Sequence, residues 1–431
     1  MKILLVGGGG REHAMAKALT SASNITLLAA PGNPGIAEHA RCIPIAADDV
    51  AELVQLARDE KVDLVVVGPE AALVGGIADA LAYFKIPCCG PTSQAAMLEG
   101  SKAFTRTLAA QAGVPQPRFH VIDNTKDLNA VVRTCAEEWN TLPVIKADGL
   151  AAGKGVMLPD SLEECIDATR ALLEGSMSDA GLTVVLEERI VGTEASLFFA
   201  CNGTSWVALP HARDHKRLLD HDKGPNTGGM GAYSPNPDIT PEIQTYVENT
   251  MLKPVLQALA NDGMPYVGFL YIGIMLTATG PQLIEFNCRL GDPEAQVILP
   301  RLHDGDFISL CQATACGTLG AVHLRVDPRP VCAVVVCAHG YPEDPRKDDI
   351  ITVGAQLAAP KGRDCPAPTT TWLIHAGTRL DDTILRTCGG RVLASVGRGT
   401  TLAEAKQHAY DGLRNVHIEG AHWRTDIAKT C

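Results

Sequence analysis

Short apolar runs alternate with amphipathic segments along the first part of the chain. Residues 2–6 are apolar and run into four glycines, Gly7 to Gly10, which is typical of a buried strand that turns into a helix. The same spacing predicts further strands at 25–30 and 63–68 and helices at 11–22 and 50–60. Because strands and helices alternate, we expect an α/β fold with a doubly wound parallel sheet.

The pattern changes after residue 101, where glycine and proline interrupt shorter periodic segments. The expected elements are helices at 102–112, 126–138, 161–174, 241–261 and 401–414, and strands at 119–122, 143–147, 183–188, 331–337 and 391–396. Gly90 and Pro91 close the first unit, and Pro328 and Pro330 mark a later boundary. We therefore expect domains at residues 1–100, 101–190, 191–328 and 329–431.

Composition and charge exclude several classes of protein. The 431 residues include 37 Lys and Arg against 49 Asp and Glu, a formal net charge of −12, and 46% are hydrophobic. This is the composition of a folded globular protein, and the negative charge disfavours binding to a nucleic-acid backbone. No apolar stretch reaches about 18 residues, and the N-terminal apolar run is shorter than a signal peptide requires. We expect a cytoplasmic protein with no nucleic-acid or membrane partner.

The 14 cysteines do not follow a metal or disulfide pattern. No two are spaced as C-x-x-C, and zinc sites need tighter clusters with histidines nearby. Cys332 and Cys337 lie in an apolar, strand-like run. We expect reduced and buried thiols, because a chain of this length can bury a core without disulfides.

The first glycine-rich turn stands between the first predicted strand and the first predicted helix. Its backbone N–H groups can bind an anion, and Arg11 could hold a phosphate with two hydrogen bonds. The spacing fails the dinucleotide fingerprint because Glu12 stands where the third glycine belongs. Residues 31–33 and 68–70 also follow strands, so we expect them beside Gly9 at the carboxyl edge of the sheet. The alternative is a turn with a structural role only.

A second glycine-rich segment spans residues 146–155 and begins with Lys146 at the end of a predicted strand. It lacks the frame of a Walker loop. Glycines such as Gly153 and Gly155 let backbone N–H groups approach a ligand, and a lysine beside them suits a cover over polyphosphate. A structural hairpin is the alternative, and the second lysine, Lys154, favours the phosphate function.

A third segment, residues 283–294, combines carboxylates, an amide and a guanidinium. Side chains alternate along a strand, so Glu285, Asn287 and Arg289 are expected on one face. A carboxylate and an amide oxygen two residues apart are suited to Mg²⁺ that is shared with substrate phosphates. The alternative is a strand with one solvated face.

Five stretches carry a resemblance to a known family. They are residues 9–13, 68–70, 146–155, 224–231 and 285–293. In this order they resemble the phosphoribosylamine–glycine ligase family of ATP-grasp enzymes, over residue 1 to about residue 425. The lysine–glycine loop and the Glu-x-Asn pair are common to ATP-grasp proteins, whereas residues 214–217 and 224–231 are specific to this family. Gly8 departs from the pattern, since relatives often carry Ser or Asn there.

The resemblance implies a fold and a reaction. The fold is an N-terminal doubly wound sheet domain that binds substrate, an ATP-grasp core of two α+β subdomains, and a small β-rich C-terminal domain that covers the site. Residues 101–190 would include the phosphate-covering subdomain, and residues 191–328 would carry the metal and catalytic residues. In the reaction, ATP phosphorylates glycine, and the amine of 5-phosphoribosylamine attacks the glycyl phosphate. The products are glycinamide ribonucleotide, ADP and phosphate.

The resemblance also implies roles for individual residues of this chain. ATP is the co-substrate, and Glu285 and Asn287 hold Mg²⁺ or Mn²⁺. The expected ATP-binding residues are Lys102, Lys146, Gly149, Gly153, Gly155, Glu187, Glu188, Ile190 and Glu194. The expected substrate-binding residues are Gly9, Gly10, Arg11, Glu12, Asn33, Pro69, Glu70, Asn226, Gly229 and Gly291. The expected catalytic residues are Asp214, Lys216, Arg289 and Asp292.

Two of these roles concern glycine, with Asp214 near its ammonium and Arg289 near its carboxylate. The loop 224–231 is expected to close over the site. From the residues alone, Glu187 and Glu188 would instead form a solvated strand end. The small-molecule substrates are glycine, 5-phosphoribosylamine and ATP, and we expect a monomer.

Two other functions are possible at this stage. One is a different ATP-grasp ligase or carboxylase, against which residues 9–13 and 211–231 argue. The other is a non-catalytic nucleotide-binding protein with the same fold. The presence of Lys146, Glu285 and Asn287 argues against that second function.

Overall fold

The computed structural model describes residues 1–150, 155–175, 183–354 and 370–429. Its N-terminal part is a sheet whose strands alternate with helices. The strands are β1 (Lys2–Gly7), β2 (Thr26–Pro31), β3 (Arg41–Cys42), β4 (Leu64–Val67) and β5 (Cys88–Cys89). The helices are α1 (Gly10–Leu19), α2 (Val50–Asp59), α3 (Glu70–Val74), α4 (Ile77–Tyr83) and α5 (Ser93–Gly100).

These strands pair in the order β3-β2-β1-β4-β5, and every pair is parallel. Residues of the central strand β1 alternate between two hydrophobic clusters, with Ile3 and Leu5 in one and Leu4 and Val6 in the other. A strand that is buried on both faces needs an apolar side chain at every position, which explains its unbroken apolar run. The predicted doubly wound parallel sheet is confirmed.

Residues 102–187 contain a small α+β unit. Its helices are α6 (Lys102–Gln111), α7 (Leu128–Trp139) and α8 (Leu162–Leu173), and its strands are β6 (Phe119–Ile122), β7 (Val144–Ala147), β8 (Val156–Met157) and β9 (Val184–Glu187). The strands form an antiparallel sheet in the order β6-β9-β7-β8. Val132 of α7 and Cys165 of α8 pack with Ile145 of the sheet in one core.

Residues 193–316 contain a second, larger unit. Its strands are β10 (Thr193–Asn202), β11 (Ser205–Ala208), β12 (Arg213–Asp214), β13 (Arg217–Leu219), β14 (Lys223–Asn226), β15 (Gly231–Ser234), β16 (Val267–Thr277) and β17 (Gly280–Asn287). Its helices are α9 (Pro241–Val247), α10 (Lys253–Asn261), α11 (Ala295–Ile298) and α12 (Asp306–Cys316). The main antiparallel sheet has the order β11-β10-β16-β17.

The C-terminal part is rich in strands. They are β18 (Val331–Cys337), β19 (Thr352–Val353), β20 (Thr371–His375), β21 (Thr378–Asp381), β22 (Ile384–Thr387), β23 (Arg391–Arg398) and β24 (Val416–His417), and the helix α13 (Leu402–Leu413) packs with them. Its main sheet has the order β12-β15-β18-β23-β20, in which Gly231 pairs with Val334. This sheet crosses the boundary expected at residue 328, so the C-terminal domain is attached directly to the strands around loop 224–231.

The helix expected at 241–261 is interrupted. A π-helical segment, Glu248–Leu252, separates α9 from α10. Pro254, in the first turn of α10, has no N–H to donate to the carbonyl four residues earlier, and its ring crowds that carbonyl, so the wider turn precedes it. Among the residues described above, no helix is both long and apolar enough to span a membrane.

Candidate active site

A cavity of about 1000 Å³ is lined by residues from all four parts of the chain. Arg11 lines it from the N-terminal domain, Lys146 from the first α+β unit and Arg391 from the C-terminal domain. The predicted residues that line it are Arg11, Glu70, Lys102, Lys146, Gly149, Gly155, Glu187, Glu188, Ile190, Glu194, Asp214, Lys216, Asn226, Glu285, Asn287, Arg289 and Asp292. The structure therefore brings together most of a set that is scattered over the sequence.

The other predicted site residues are not among those that line the cavity. They are Gly9, Gly10, Glu12, Asn33, Pro69, Gly229 and Gly291, while Gly153 lies outside the described residues. A Cβ atom placed on Gly9 or Gly10 would lie 3.6 Å from a carboxylate oxygen of Asp292. The side chain of Asp292, which lines the cavity, thus packs against the first glycine turn.

Glu187 ends β9 inside the protein, with only 3% of its surface exposed. Arg106 of α6 donates from Nε and Nη2 to its two carboxylate oxygens, each at 2.7 Å, and Lys146 Nζ lies 2.8 Å from Oε2. Burial raises the pKa of this carboxyl, but Arg106 and Lys146 together bring it below its usual value. The interpretation of Glu187 as part of a solvated strand end is therefore wrong, because two cations hold it in the interior.

Arg106 also reaches the neighbouring unit. Its Nη1 and Nη2 donate to the carbonyls of Leu283 and Ile284 at 3.0 and 2.7 Å. These carbonyls lie at an irregularity in β17, where Gly273 pairs with Glu285 but Ile274 pairs with Leu283. A β-bulge leaves backbone groups without ladder partners, and Arg106 satisfies two of them. Sequence analysis missed Arg106, because its partners are distant in the chain and no local motif marks it.

The cavity next to Glu187 has an apolar wall. Val144, Met275 and Phe286 are among the residues that line it, together with residues 187–190. The carboxylate of Glu188 is engaged by Arg118, with Nη2 at 2.9 Å from Oε1. A part of a cavity that is lined by apolar residues can hold a planar heterocycle.

Two lysines approach each other below this wall. Lys102 Nζ donates to the carbonyl of Gly149 at 2.9 Å, and Lys146 Nζ contacts Glu187. Burial lowers the pKa of Lys102, and the nearby charge of Lys146 lowers it further. Two adjacent cations in a cavity favour a polyanionic ligand such as a chain of phosphates.

Glu285, Asn287 and Arg289 share one wall of the cavity. Asn287 Nδ2 donates to Glu285 Oε1 at 3.3 Å, and Arg289 Nη2 donates to Asn287 Oδ1 at 3.2 Å. Burial raises the pKa of Glu285, but Lys216, whose Nζ is 3.7 Å away, and Lys146 lower it to about 2. Glu285 is therefore an anion at neutral pH, and it stands beside a second oxygen ligand.

This donor set fits a hard divalent cation that also takes oxygens from a substrate. Within the described ranges, no group of three or more His, Cys, Asp and Glu side chains could enclose a metal ion by itself. Mg²⁺ commonly binds through one or two carboxylates and substrate phosphates rather than in a protein cage. The chemistry of Glu285 and Asn287 is of that kind.

The guanidinium of Arg289 is fixed by carboxylates of the N-terminal domain. Glu99 Oε1 lies 2.8 Å from Nη2, and Glu70 Oε2 lies 3.2 Å from Nε. Burial raises the pKa of Glu99 to about 7, even beside this cation. Burial also raises the pKa of Glu70, but Arg289 and Arg11 outweigh it and lower that pKa to about 2. Glu99 was not predicted, because nothing in the sequence relates it to a residue 190 positions later.

Asp214 and Glu294 are two more carboxylates on the cavity wall. Burial raises the pKa of both, and the charge of Asp214 raises that of Glu294 further. Carboxyls of this kind can share a proton or accept an ammonium group. Glu294 was not among the predicted residues, although it stands two residues after Asp292 in a segment marked as unusual.

The chain matches three family profiles in succession. They describe phosphoribosylglycinamide synthetase: its N domain over residues 1–99, its ATP-grasp (A) domain over residues 100–295 and its C domain over residues 331–430. The chain belongs to the phosphoribosylglycinamide synthetase family.

Curated relatives agree over the full length. The phosphoribosylamine–glycine ligase of Brucella melitensis is 41% identical over 428 residues, which is 99% of this chain and 97% of that protein. The enzyme of Rhizobium meliloti is 42% identical over 428 residues, 99% of this chain and 98% of its own. The crystal structure of phosphoribosylamine–glycine ligase from Thermotoga maritima has a TM-score of 0.84 at 32% identity and covers 99% of this chain and 100% of that one.

A biotin carboxylase from Campylobacter jejuni is similar in fold alone, with a TM-score of 0.72 at 14% identity, and the match covers 97% of this chain and 92% of that one.

The predicted family and the predicted ligase function are confirmed by the relatives. The chain is an ATP-dependent ligase that forms glycinamide ribonucleotide from phosphoribosylamine and glycine in purine biosynthesis. Its family uses ATP together with a divalent metal ion.

In this synthetase the first glycine turn is closed by a side chain of its own helix. Gly9 N–H donates to Glu12 Oε2 at 2.6 Å, and Arg11 Nε donates to Glu12 Oε1 at 2.6 Å. One backbone donor expected to bind an anion is therefore engaged by a carboxylate. Asn33 Nδ2 links the turn to the C-terminal domain, since it donates to the carbonyls of Gly8 at 2.9 Å and His375 at 3.0 Å.

The buried charge of Glu187 predicts a large difference between two neighbouring substitutions. Glu187→Gln leaves Arg106 and Lys146 without their anion, so we expect it to cost about 3–5 kcal/mol of stability. Glu188→Gln is the matched control, because its partner Arg118 is solvent-exposed, and the expected cost is about 0–1 kcal/mol. Equilibrium urea denaturation measures both, and similar losses would contradict the role given to Glu187.

The raised pKa of Glu294 predicts a pH-dependent gain in stability on substitution. Above the ordinary pKa of 4.5, the unfolded chain loses a proton that the native carboxyl retains, so the parent loses stability as the pH rises. Glu294→Gln removes this loss, and its stability relative to the parent should increase by about 1.4 kcal/mol per unit of pKa shift. Thermal unfolding at about pH 5 and about pH 8 tests this, with exposed Glu137→Gln as the control. A difference that does not change with pH would show that the carboxyl is not perturbed.

Proposed function

We propose that the cavity binds ATP, glycine and phosphoribosylamine side by side and joins them in two steps. The glycine carboxylate attacks the γ-phosphorus of ATP, and ADP leaves. The amine of phosphoribosylamine then attacks the acyl carbon of glycyl phosphate, phosphate leaves, and the nitrogen loses a proton. The observation that carries this proposal is the convergence of Lys146, Glu285 and Arg289 in one cavity with Arg11. Such a transfer needs positioning and charge neutralisation rather than a protein nucleophile.

The nucleotide is assigned to the end of the cavity formed by the first α+β unit. The adenine lies against the apolar wall, with the backbone of residues 187–190 at its edge, and Glu194 accepts the ribose hydroxyls. Lys102 and Lys146 then neutralise the phosphates, and the backbone near Gly149 and Gly155 approaches them. The proximity of the two lysines supports this placement.

The divalent ion of the proposal is Mg²⁺, with Mn²⁺ as a substitute. Glu285 and Asn287 would hold it, because they supply an ionised carboxylate and an amide oxygen on the same wall. When bound, such an ion offsets charge on phosphate oxygens. Lys216, which pairs with Glu194 at 3.2 Å, and Lys146 are the cations that keep Glu285 ionised.

Glycine is assigned to the space between Asp214 and Arg289. The carboxylates of Asp214 and Glu294 suit the ammonium group, since an added cation relieves the repulsion between them. Arg289 suits the carboxylate because Glu70 and Glu99 fix the plane of its guanidinium. The glycine carboxylate would then lie next to the nucleotide phosphates at Glu285.

Phosphoribosylamine is assigned to the end of the cavity formed by the first glycine turn. Arg11 and the N-terminus of α1 favour its 5-phosphate. Lys216 and Asp292, which line the same cavity, are the remaining catalytic residues of the proposal. The substrate-binding residues of this end are Gly9, Gly10, Arg11, Glu12, Asn33, Pro69, Glu70, Asn226, Gly229 and Gly291. We further propose that the enzyme acts as a monomer in the cytoplasm. Light scattering on the purified protein would test the monomeric state.

The ligase reaction is tested by measuring ADP release with glycine alone and with phosphoribosylamine added. We expect release that depends on both substrates. A ligase with a different acceptor would not respond to phosphoribosylamine. A nucleotide-binding protein without activity would release no ADP under either condition.

Glu285→Gln tests the metal site. The side chain is nearly isosteric, so folding should be preserved, but a charged oxygen ligand is lost. We expect kcat/KM for Mg-ATP to fall by roughly a hundredfold or more. Initial rates over a series of Mg²⁺ concentrations measure the change, and a thermal shift on adding Mg-ADP reports binding separately. Turnover close to the parent rate at every Mg²⁺ concentration would exclude Glu285 as a ligand.

Arg289→Lys tests the glycine site. Lysine keeps the charge but cannot hold two carboxylate oxygens at once. The loss of one charge-assisted hydrogen bond costs about 1.5–3 kcal/mol, so KM for glycine should rise roughly tenfold to a hundredfold. Asp214→Asn should also act on glycine, through the ammonium group. Steady-state rates with each substrate varied in turn measure this, and a main effect on the KM for ATP would move Arg289 to the phosphate site.

A further inference from the structure

The backbone of Gly228 is held at both of its polar groups by side chains of the C-terminal domain. Its N–H donates to Tyr341 Oη at 3.0 Å, and its carbonyl accepts from Arg391 Nη1 at 2.5 Å. Gly228 borders the cavity in the loop between β14 and β15, directly after Asn226 and Thr227. A residue bound in this way cannot turn away from the cavity without breaking two hydrogen bonds.

The same guanidinium holds a second loop of the cavity wall. Arg391 Nη1 also donates to the carbonyl of Asp292 at 2.7 Å, and its Nη2 lies 3.3 Å from the carboxylate oxygen Oδ2 of Asp292. The planar, five-donor geometry of arginine permits these contacts from one side chain. Arg391 thus connects the loop at Gly228 with the loop at Asp292.

Two consecutive glycines make this arrangement possible. A Cβ atom on Gly228 would lie 3.0 Å from Cζ of Arg391, so any larger side chain would displace the guanidinium. Gly229 has a φ of +112° and packs its Cα against the ring of Pro293. The resemblance had placed this glycine segment over the site, and the structure shows what it packs against.

Asp292 is the point at which Arg391 reaches the first glycine turn. The oxygen Oδ1 of Asp292 accepts from Gln296 Nε2 at 2.7 Å, and the Cα atoms of Gly9 and Gly10 pack against this carboxylate. The partners of the two lysines are different groups, since Lys146 contacts the carboxylate of Glu187 and Lys102 donates to the backbone carbonyl of Gly149. The contacts of Arg391 therefore belong to the end of the cavity at the first glycine turn and are separate from those of Lys102 and Lys146.

We propose that Arg391, together with Tyr341, is a positioning residue of the ligase reaction. It holds the Gly228 backbone and the Asp292 carboxylate in the arrangement that receives phosphoribosylamine, and it does so from the C-terminal domain. The inference rests on the proposed placement of phosphoribosylamine at the first glycine turn. It assigns the C-terminal domain a specific task, which is to fix two loops of the ATP-grasp domain at the acceptor end of the site.

The test compares acceptor and nucleotide binding in Arg391→Lys and Arg391→Met. Phosphoribosylamine is formed in the assay from ribose 5-phosphate and ammonia, and each KM is measured. Calorimetry measures the affinities for glycinamide ribonucleotide, the stable product, and for Mg-ADP. We expect Arg391→Lys to weaken the product and the acceptor roughly tenfold and Arg391→Met roughly a hundredfold. The affinity for Mg-ADP should stay within about twofold, which also shows that each variant is folded.

Tyr341→Phe provides a second, milder probe, because it removes only the hydroxyl that Gly228 contacts. If both residues act by holding the same loop, the effect of the double variant Tyr341→Phe, Arg391→Lys should be smaller than the product of the two single effects. Arg379→Gln is the matched control, since Arg379 lies in the same domain and pairs with Asp348 at the surface at 2.8 Å. Its affinities should equal those of the parent.

Two results would overturn the proposal. One is an unchanged affinity for glycinamide ribonucleotide in Arg391→Lys and Arg391→Met. The other is an equal loss of product and Mg-ADP affinity, which would indicate a general structural role. Arg11→Met tests the placement of the acceptor separately, because Arg11 belongs to that end but does not contact Arg391. Suppose that Arg11→Met binds glycinamide ribonucleotide as tightly as the parent, whereas Arg391→Lys binds it more weakly. The proposed placement of the acceptor would then be refuted, although the two loops would still depend on Arg391.

Discussion

Glu187 stays ionised although it is almost fully buried, because Arg106 and Lys146 supply compensating positive charges. The three side chains come from β9, α6 and β7, so one ion cluster ties together the elements of the first α+β unit. Arg106 extends the connection to β17 by satisfying carbonyls at its bulge. A bulge redirects the side chains that follow it, and those side chains are Glu285 and Asn287. The position of Lys146 and the direction of the Glu285 and Asn287 side chains therefore depend on the same buried guanidinium.

The other carboxyl groups of the cavity fall into two sets, according to whether neighbouring cations compensate their negative charge. Glu285 and Glu70 have cations beside them, and the pKa of each is lowered to about 2. Asp214 and Glu294 are buried without enough compensating positive charge, and their pKa values are raised. The compensated carboxylates stay ionised at physiological pH and orient neighbouring groups. The other two can exchange a proton for a cationic group of a ligand. The cavity thus combines a rigid ionic frame with a small region that responds to a substrate.

The end of the cavity at the first glycine turn, where we propose that the acceptor binds, is built by the N-terminal domain, the unit at residues 193–316 and the C-terminal domain. The glycine turn of the N-terminal domain packs against Asp292, and Asn33 bonds to the backbone of His375 in the C-terminal domain. The sheet that runs from β12 to β20 makes this possible, because β15 and β18 are paired strands of different domains. Rigid pairing across the boundary brings Arg391 to loops that lie more than 90 residues earlier in the chain, at Asp292 and at Gly228.

Local pattern was sufficient for the class of the N-terminal sheet and for elements such as β1, β4, α2 and α8, because apolar periodicity depends on neighbouring residues only. It did not give the bounds of β10, β16 or α12. It also indicated the three segments at 7–10, 146–155 and 283–294, where residue types and spacing are unusual for a structural role. The resemblance to a family then assigned chemistry to residues such as Lys146 and Glu285. The sequence by itself thus determined the fold class and the family, and it supplied the candidate site residues that come from local motifs. Tertiary structure alone decided which distant charges meet: Arg106 with Glu187, Glu99 with Arg289, and Arg391 with Asp292. The physical reason is that an ion pair in a cavity depends on how separate elements pack in space, and no periodic pattern along the chain records that packing.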